Sequence, residues 1–560
     1  MNKRLILFFI IVFAILIGYN HFVIKPYIKQ KEKEVSSKKK AEIKQKIVSP
    51  VEKDKKISPK TEIKIPSNEI SIETGEKLTS VYTDKFSIKI TNKGGVFKSI
   101  KIEKYHDEFN EPIEMIPTFS ELKIHPFSVS FDDPKATELE NNALYTVKEE
   151  IIYDNKNKKN KLVSLTFNDG NGNFFKKTFL FTDTYLIKFK GTFFYNYKIL
   201  HPTVYWAPGI QAMTLKQKKS YGWSYKEAKG VSWAANKIEI FRKKIISNPI
   251  NLQNVEWAGI HNNYFLIAFI PQAKSNKAIY NLPQYSIAPE ITDNLINTGI
   301  KMEDDTVNLE LYIGPKDIEI LRPIGHNLTE AIDYGFFGFI AKVLLEALKF
   351  IYKYIHNYGI AIILLTILIK IIFYPLTYRS MQSMEKMKKI QPQVQAIREK
   401  YKKIPFSDPR TQKMNQEIME LYRKNGINPT SGCLPLLLQL PVLWGFYSLL
   451  SVAIEIRGQP FFLWIKDLSK PDPYYITPIL MGISMLWQQK ITPSGTDPMQ
   501  QKLMMLMPIF FTFLFLNAQS GLVIYWLFNN ILSIIQQVYF TNPSNSKEER
   551  SNKKIKKKRK

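Results

Sequence analysis

Cysteine is nearly absent: Cys433 is the only one in 560 residues, which excludes a disulfide within the chain. Near a proline in an apolar run, that thiol reads as a small packing residue. The seven histidines show no metal-ligand spacing, and no Walker, G-x-S-x-G or C-x-x-C pattern occurs. Neither catalysis, nor a cofactor, nor a metal is expected. Acid is missing where the chain is most apolar: no Asp or Glu falls within 358–377, 432–452, 475–489 or 499–540. That argues against a proton pump or a cation-coupled carrier, which usually need carboxylates inside the membrane. Inverted repeats, a sign of many solute transporters, are not found either.

Base, by contrast, is plentiful. Lys plus Arg number 79 against 50 Asp plus Glu, a formal net charge of +29. Such a balance suits a nucleic acid, a ribosome or an anionic membrane surface. The apolar residues are not spread evenly. They gather at the N-terminus and toward the C-terminal part, leaving a middle that reads as a soluble domain.

Residues 1–24 hold the apolar run Leu5–Val23, close to the ~20 residues that cross a bilayer as a helix. With no small-residue cleavage site after it, the run reads as an uncleaved signal anchor. Residues 25–80, rich in Lys, Glu, Ser and Pro, read as a disordered basic tether. Over 81–325 apolar and polar residues alternate around turn signals such as the Gly94-Gly95 pair and NDGNGN. Alternation of this kind predicts antiparallel strands and a large β-sandwich.

Residues 330–356 predict an amphipathic helix lying in the membrane interface. Lys342, Glu346, Lys349 and Lys353 recur at spacings 4, 3, 4, on one face; a core helix of the preceding domain is the alternative. Transmembrane helix two is expected over 357–378, and helices three to six over 429–541, with NAQSG at 517–521 breaking the fifth from the sixth. Between them, 379–428 predicts a helical hairpin. Ile390, Val394, Ile397 and Tyr401 repeat at 4, 3, 4, and Met414, Ile418 and Leu421 at 4, 3. The fold class expected is therefore a polytopic α-helical membrane protein of six transmembrane helices, five of them in the core, carrying a large β-sandwich.

The tail 542–560 is strongly basic, which places both termini and the hairpin in the cytoplasm and the sandwich outside. The tether dissents, with 14 Lys or Arg from Lys25 to Lys64 against Lys3 and Arg4 before the first span. Long domains, however, translocate largely regardless of charge.

One charge interrupts the second span. Lys370 lies 12 residues past Tyr358, roughly 18 Å along a helix. A lysine there costs roughly 2.5–3.5 kcal/mol on the mildest scales. Snorkelling to headgroups is one explanation. Polar groups elsewhere favour a wet cavity: Thr366 on the same face, Gln439 in span three, and Tyr525 and Trp526 in span six ahead of Asn529 and Asn530. A hydrogen-bonded cluster between helices is the other alternative. A lone cation in a wet groove suits transient attraction of an acidic or polar peptide segment.

Long stretches are similar to a known family: NYGIAIILLTILIKIIFYPLTYRSMQSMEKMKKIQPQVQAIREKY, INPTSGCLPLLLQLPVLWGFYSLL, TDPMQQKLMMLMPIFFTFLF and SGLVIYWLFNNILSIIQQ. They resemble the YidC/Oxa/Alb membrane protein insertases, in the long Gram-negative YidC form. The sandwich is similar more weakly, through EWAGIHNNYFLIAFIP and YIGPKDIE. The resemblance implies insertion and folding of inner-membrane proteins, alone or with the Sec translocon (SecYEG and SecDF), without nucleotide hydrolysis. It implies a hydrophilic groove open to cytoplasm and lipid and closed outward, with Thr366 and Gln439 lining it. At Lys370 the family usually has arginine, so the charge is kept and the bidentate fork is lost. A groove tyrosine of the family falls at Trp526, which keeps an aromatic face without the hydroxyl.

The resemblance also implies nascent membrane proteins as clients, and ribosome and targeting factors meeting the hairpin and tail. The basic groups of the tail are Lys553, Lys554, Lys556, Lys557, Lys558, Arg559 and Lys560. Anionic lipids are the competing partner for these residues. A small-solute transporter and an envelope sugar-binding protein are the rival functions.

Overall fold

The computed structural model describes residues 73–541, except 108, 118–123, 154–156, 211–221, 273–275, 289–290, 402–408, 429–433 and 493–497. The expected signal anchor, nearly all of the tether, Cys433 and the basic tail with Lys553, Lys554, Lys556, Lys557, Lys558, Arg559 and Lys560 lie outside the described residues.

The alternating segment forms antiparallel sheets. The largest has ten strands, running in the order Lys237–Phe241, Lys229–Ala234, Val255–His261, Phe265–Pro271, Val307–Pro315, Leu186–Tyr195, Phe174–Phe181, Lys159–Asn168 and Thr146–Tyr153, with Lys198–Ile199 beside Leu186–Tyr195. A five-stranded sheet (Ile250–Gln253, Asn276–Asn281, Asn297–Met302, Thr203–Trp206, Val129–Ser130) packs on one half of it. A four-stranded sheet begins at Leu78–Tyr82. Both turn signals make the hairpins they promise: Thr91 pairs with Val96 around Gly94-Gly95, and Asn168 with Phe174 around NDGNGN. Gly94 and Gly95 both take positive φ, which a Cβ would oppose.

Alternation sorts the faces. Along Phe174–Phe181, Phe175, Phe179 and Phe181 are buried while Lys176 is exposed. Phe97, Phe127, Phe179 and Phe189 form an aromatic core with ring centroids 4.8–5.1 Å apart, geometry worth something beyond the apolar area buried. One ion pair interrupts this core. Lys177 Nζ sits 2.7 Å from Glu140 Oε1, both fully buried. The ammonium also donates to the carbonyls of Gly94 and Phe127, and the Tyr145 hydroxyl donates to Glu140. Burial pushes Glu140 up and Lys177 down, while their attraction opposes both shifts.

Helices follow the sandwich. They are α1 (Pro134–Asn142, inside the sandwich segment), α2 (Ile318–Ile324), α3 (Gly338–Ile355), α4 (Tyr358–Lys389), α5 (Gln391–Lys400), α6 (Pro409–Lys424), α7 (Leu434–Val452), α8 (Ile476–Ile491), α9 (Pro498–Phe515) and α10 (Ser520–Thr541). α4 and α10 are long and apolar enough to cross a membrane by length and composition; Leu437–Val452 and Met505–Phe515 are shorter apolar helical stretches. α4 runs on through Pro375 as far as Lys389.

The predicted hairpin residues share a small core of their own. Ile390, Val394, Ile418 and Tyr422 are buried, with Ile397, Met414 and Leu421 packed against them. Tyr401 donates to Glu417 at 2.7 Å. On α3, Ala341, Leu344, Leu345 and Leu348 are buried, facing α7 and α4. Gly445 permits that approach, since a Cβ there would sit 2.7 Å from Ile340 Cγ2. Val343, Phe350 and Tyr354 remain exposed on α3.

Candidate functional site

α10 packs against α4, α7 and α8, so its polar side chains decide what lies between them. Tyr525, Asn529 and Ser533 recur every four residues and share one face. Lys370, on α4, donates from Nζ to Ser533 Oγ at 2.6 Å. Ser533 in turn donates to the Asn529 carbonyl at 2.8 Å. Among the described residues no ion pair involves Lys370. The half-buried cation is therefore held by a hydroxyl alone, and points toward α10 rather than along α4 to its end.

Gln439, on α7, donates to the Tyr525 hydroxyl at 3.3 Å. The Tyr525 ring is fully buried and stacks on Phe446, centroids 4.3 Å apart. Thr366 is buried, and its hydroxyl bonds the Ile362 carbonyl of its own helix at 2.7 Å. Lys370, Gln439 and Tyr525 thus belong to one polar seam along α10. Thr366 shares the Lys370 face but spends its hydrogen bond within α4.

Trp526 goes elsewhere. Its ring stacks on Phe511 at 6.3 Å and meets Phe515 at 6.0 Å, and its buried indole N–H has no hydrogen-bond partner among the described residues. Trp223 of the sandwich closes the same aromatic cluster, 5.6 Å from Phe515 and 6.1 Å from Tyr447. The backbone N–H of Trp223 donates to the Asn517 carbonyl at 2.9 Å. This contact depends on Gly222, whose Cβ would fall 2.3 Å from that same oxygen. These aromatic rings thus gather near the start of α10, where the sandwich meets the chain ahead of that helix.

A second polar seam takes Asn530, singled out from the sequence, to a partner that was not. Asn530 donates to Ser484 Oγ of α8 at 3.0 Å, and Gln537 to the Ile491 carbonyl at 3.1 Å. Ser533 was missed as well. The signal was its place, four residues after Asn529 and eight after Tyr525.

Large apolar side chains remain exposed on the helices around these seams. They include Leu368, Ile371 and Ile372 on α4, Ile483 and Trp487 on α8, and Ile509, Phe510 and Phe513 on α9. Soluble surfaces rarely carry so much contiguous apolar area.

Comparison with known proteins places the chain in a family. Residues 350–548 match the family described as 60Kd inner membrane protein, and residues 78–347 match the YidC periplasmic domain. A membrane protein insertase YidC of Syntrophus aciditrophicus is 38% identical over 492 residues, 83% of this chain and 85% of that relative. Another, from Geobacter metallireducens, is 51% identical over 287 residues, 50% of this chain and about half (52%) of that relative's length. A solved structure of an active YidC insertase with its first transmembrane domain resolved aligns at a TM-score of 0.39. It is 19% identical, covering 85% of this chain and 96% of that one.

Proposed function

Since the chain belongs to the YidC family of membrane protein insertases, we propose that it inserts and folds inner-membrane proteins through the polar seam between α4, α7 and α10. The observation that carries this reading is the Lys370–Ser533 pair, an ammonium 2.6 Å from a hydroxyl in an apolar helix, with no carboxylate paired to it among the described residues. A charge in such a place costs several kcal/mol unless water or a partner reaches it. A hydrated seam lowers the barrier for a polar or acidic client segment to leave the cytoplasm. The client's apolar helix then leaves sideways into lipid, with no nucleotide hydrolysed.

Six transmembrane helices complete the reading: the N-terminal anchor, α4, α7, α8, α9 and α10. Their exposed apolar side chains would face lipid. Termini and hairpin lie in the cytoplasm, the sandwich in the periplasm, and α3 in the interface with Val343, Phe350 and Tyr354 toward acyl chains. The aromatic cluster of Trp223, Phe515 and Trp526 then keeps the seam closed outward. The hairpin, with 12 Lys or Arg against 5 acids over 378–428, and the basic tail would meet the ribosome, targeting factors or anionic lipid. Insertion proceeds alone or with the Sec translocon as a partner.

A photoreactive residue at half-buried Gln439, with Lys370 intact, tests the route. Ribosomes stalled on a single-span client should give a crosslink to the nascent span. Folded protein, bound ribosomes and no crosslink at Gln439 or at Ser533 would show that clients pass elsewhere.

A further inference from the structure

Away from the seam along α10, a second polar site lies where the sandwich meets the end of α7. Lys226, Lys229, His261, Lys316, Asp333 and the α7 residue Val452 line a pocket with about 270 Å³ of empty space, part of it open to solvent. Asp333 pairs with Lys229 at 3.7 Å. Among the described residues no ion pair involves Lys226 or Lys316. His261 is 3% exposed; its Nδ1 is 3.1 Å from the Ala331 carbonyl, so that nitrogen carries the proton. The opposite ring nitrogen, Nε2, is buried without a hydrogen-bond partner among the described residues. Glu227 is the other carboxylate on the lining, and it is exposed.

Lys226, Lys229 and Lys316 converge around one carboxylate, Asp333, which only partly offsets their mutual repulsion and burial, and the His261 Nε2 beside them is unsatisfied among the described residues. Burial first, then neighbouring lysines, push both Lys316 and His261 down, Lys316 to about 7, against the opposing pull of Asp333 on Lys316 and of the Ala331 carbonyl on His261. Each of these groups becomes a donor when an anion arrives: two ammonium groups, and an imidazole Nε2 that takes up a proton. A tetrahedral oxyanion offers several acceptors to such a fork of cations. We propose that this pocket binds a phosphate group, supplied by a lipid headgroup or by free phosphate, and that binding fastens the sandwich to α7. The fastening follows from position, because Val452 lines the pocket and its neighbour Ser451 already accepts from Asn263.

The test uses the full chain in neutral detergent at constant ionic strength. Calorimetry follows titration with inorganic phosphate and, separately, with dihexanoyl phosphatidylglycerol below its micelle concentration. Saturable binding is expected, weakened at least tenfold by the double change Lys226→Met, Lys316→Met and retained by Lys226→Arg, Lys316→Arg. Binding of the short lipid without a response to inorganic phosphate assigns the headgroup; equal responses assign the phosphate itself. Failure of the unaltered chain to bind either probe saturably, or undiminished binding by the methionine variant, overturns the proposal.

Discussion

Asn263, on the turn between two central strands of the sandwich, donates from Nδ2 to the Ser451 carbonyl on the last turn of α7, 2.8 Å away. The Ser451 hydroxyl accepts from Gln519 at 2.8 Å, just ahead of α10. One serine therefore ties the sandwich to two helices of the bundle. Replacing Asn263 with Ala leaves a buried carbonyl without its donor. The expected cost is about 1–3 kcal/mol, read as a lower thermal midpoint in detergent. A midpoint within error of the parent would mean that water replaces the amide.

Asp472 should be sensitive for a different reason. Its carboxylate accepts from the Trp464 indole, the Tyr474 N–H, and both the N–H and hydroxyl of Thr477. It thus caps α8 from outside, since Tyr475 at the cap position makes no side-chain bond. Asp472→Ala is expected to cost about 2 kcal/mol or more. Faster hydrogen exchange in the first turn of α8 would be its local sign; protection equal to the parent would contradict the capping role.

In the sandwich core, Glu140 and Lys177 form a fully buried pair. Glu140→Gln or Lys177→Met alone should cost about 3–5 kcal/mol, because each strands a buried charge. The double variant should recover much of the loss. Additive losses in denaturant unfolding would show that the pair is held by its other hydrogen bonds.

Stability should also depend on pH through Lys316, whose folded value lies near 7. Unfolded lysine titrates near ~10.4. Between the two, the unfolded chain binds the proton more tightly, so stability rises with pH across this window and declines as pH falls toward 7. His261, also held down, adds a loss of the same sign as pH falls below ~6.5. In phosphate-free buffer Lys316→Met should flatten the slope between pH 7 and 10. An unchanged slope would mean that the ammonium is solvated.

Much of this was legible in sequence where periodicity reports burial. The 4, 3, 4 spacing through Ile390, Val394, Ile397 and Tyr401 marked the hairpin core, and two turn signals marked two hairpins of the sandwich. Lys370 stood out because charge in an apolar run has few innocent explanations. Rotation about the helix axis was not legible. Tyr525 and Trp526 differ by about 100°, and only packing decides that Tyr525 meets Gln439 while Trp526 meets Phe511. Ser533 escaped notice because serine costs little in an apolar helix and becomes informative only opposite Lys370. The Asn263–Ser451 contact joins residues 188 apart, and no local pattern encodes such a meeting.

The most direct measurement is insertion by the purified chain in proteoliposomes, using a single-span client with an acidic translocated segment and no nucleotide. The unaltered chain and Lys370→Arg should protect the translocated segment from external protease. Ser533→Ala should slow insertion moderately, and Lys370→Met should reduce it at least tenfold while leaving stability equal or higher, because a buried cation is removed. Full insertion by a stable Lys370→Met protein would contradict a role for this seam in the passage of clients.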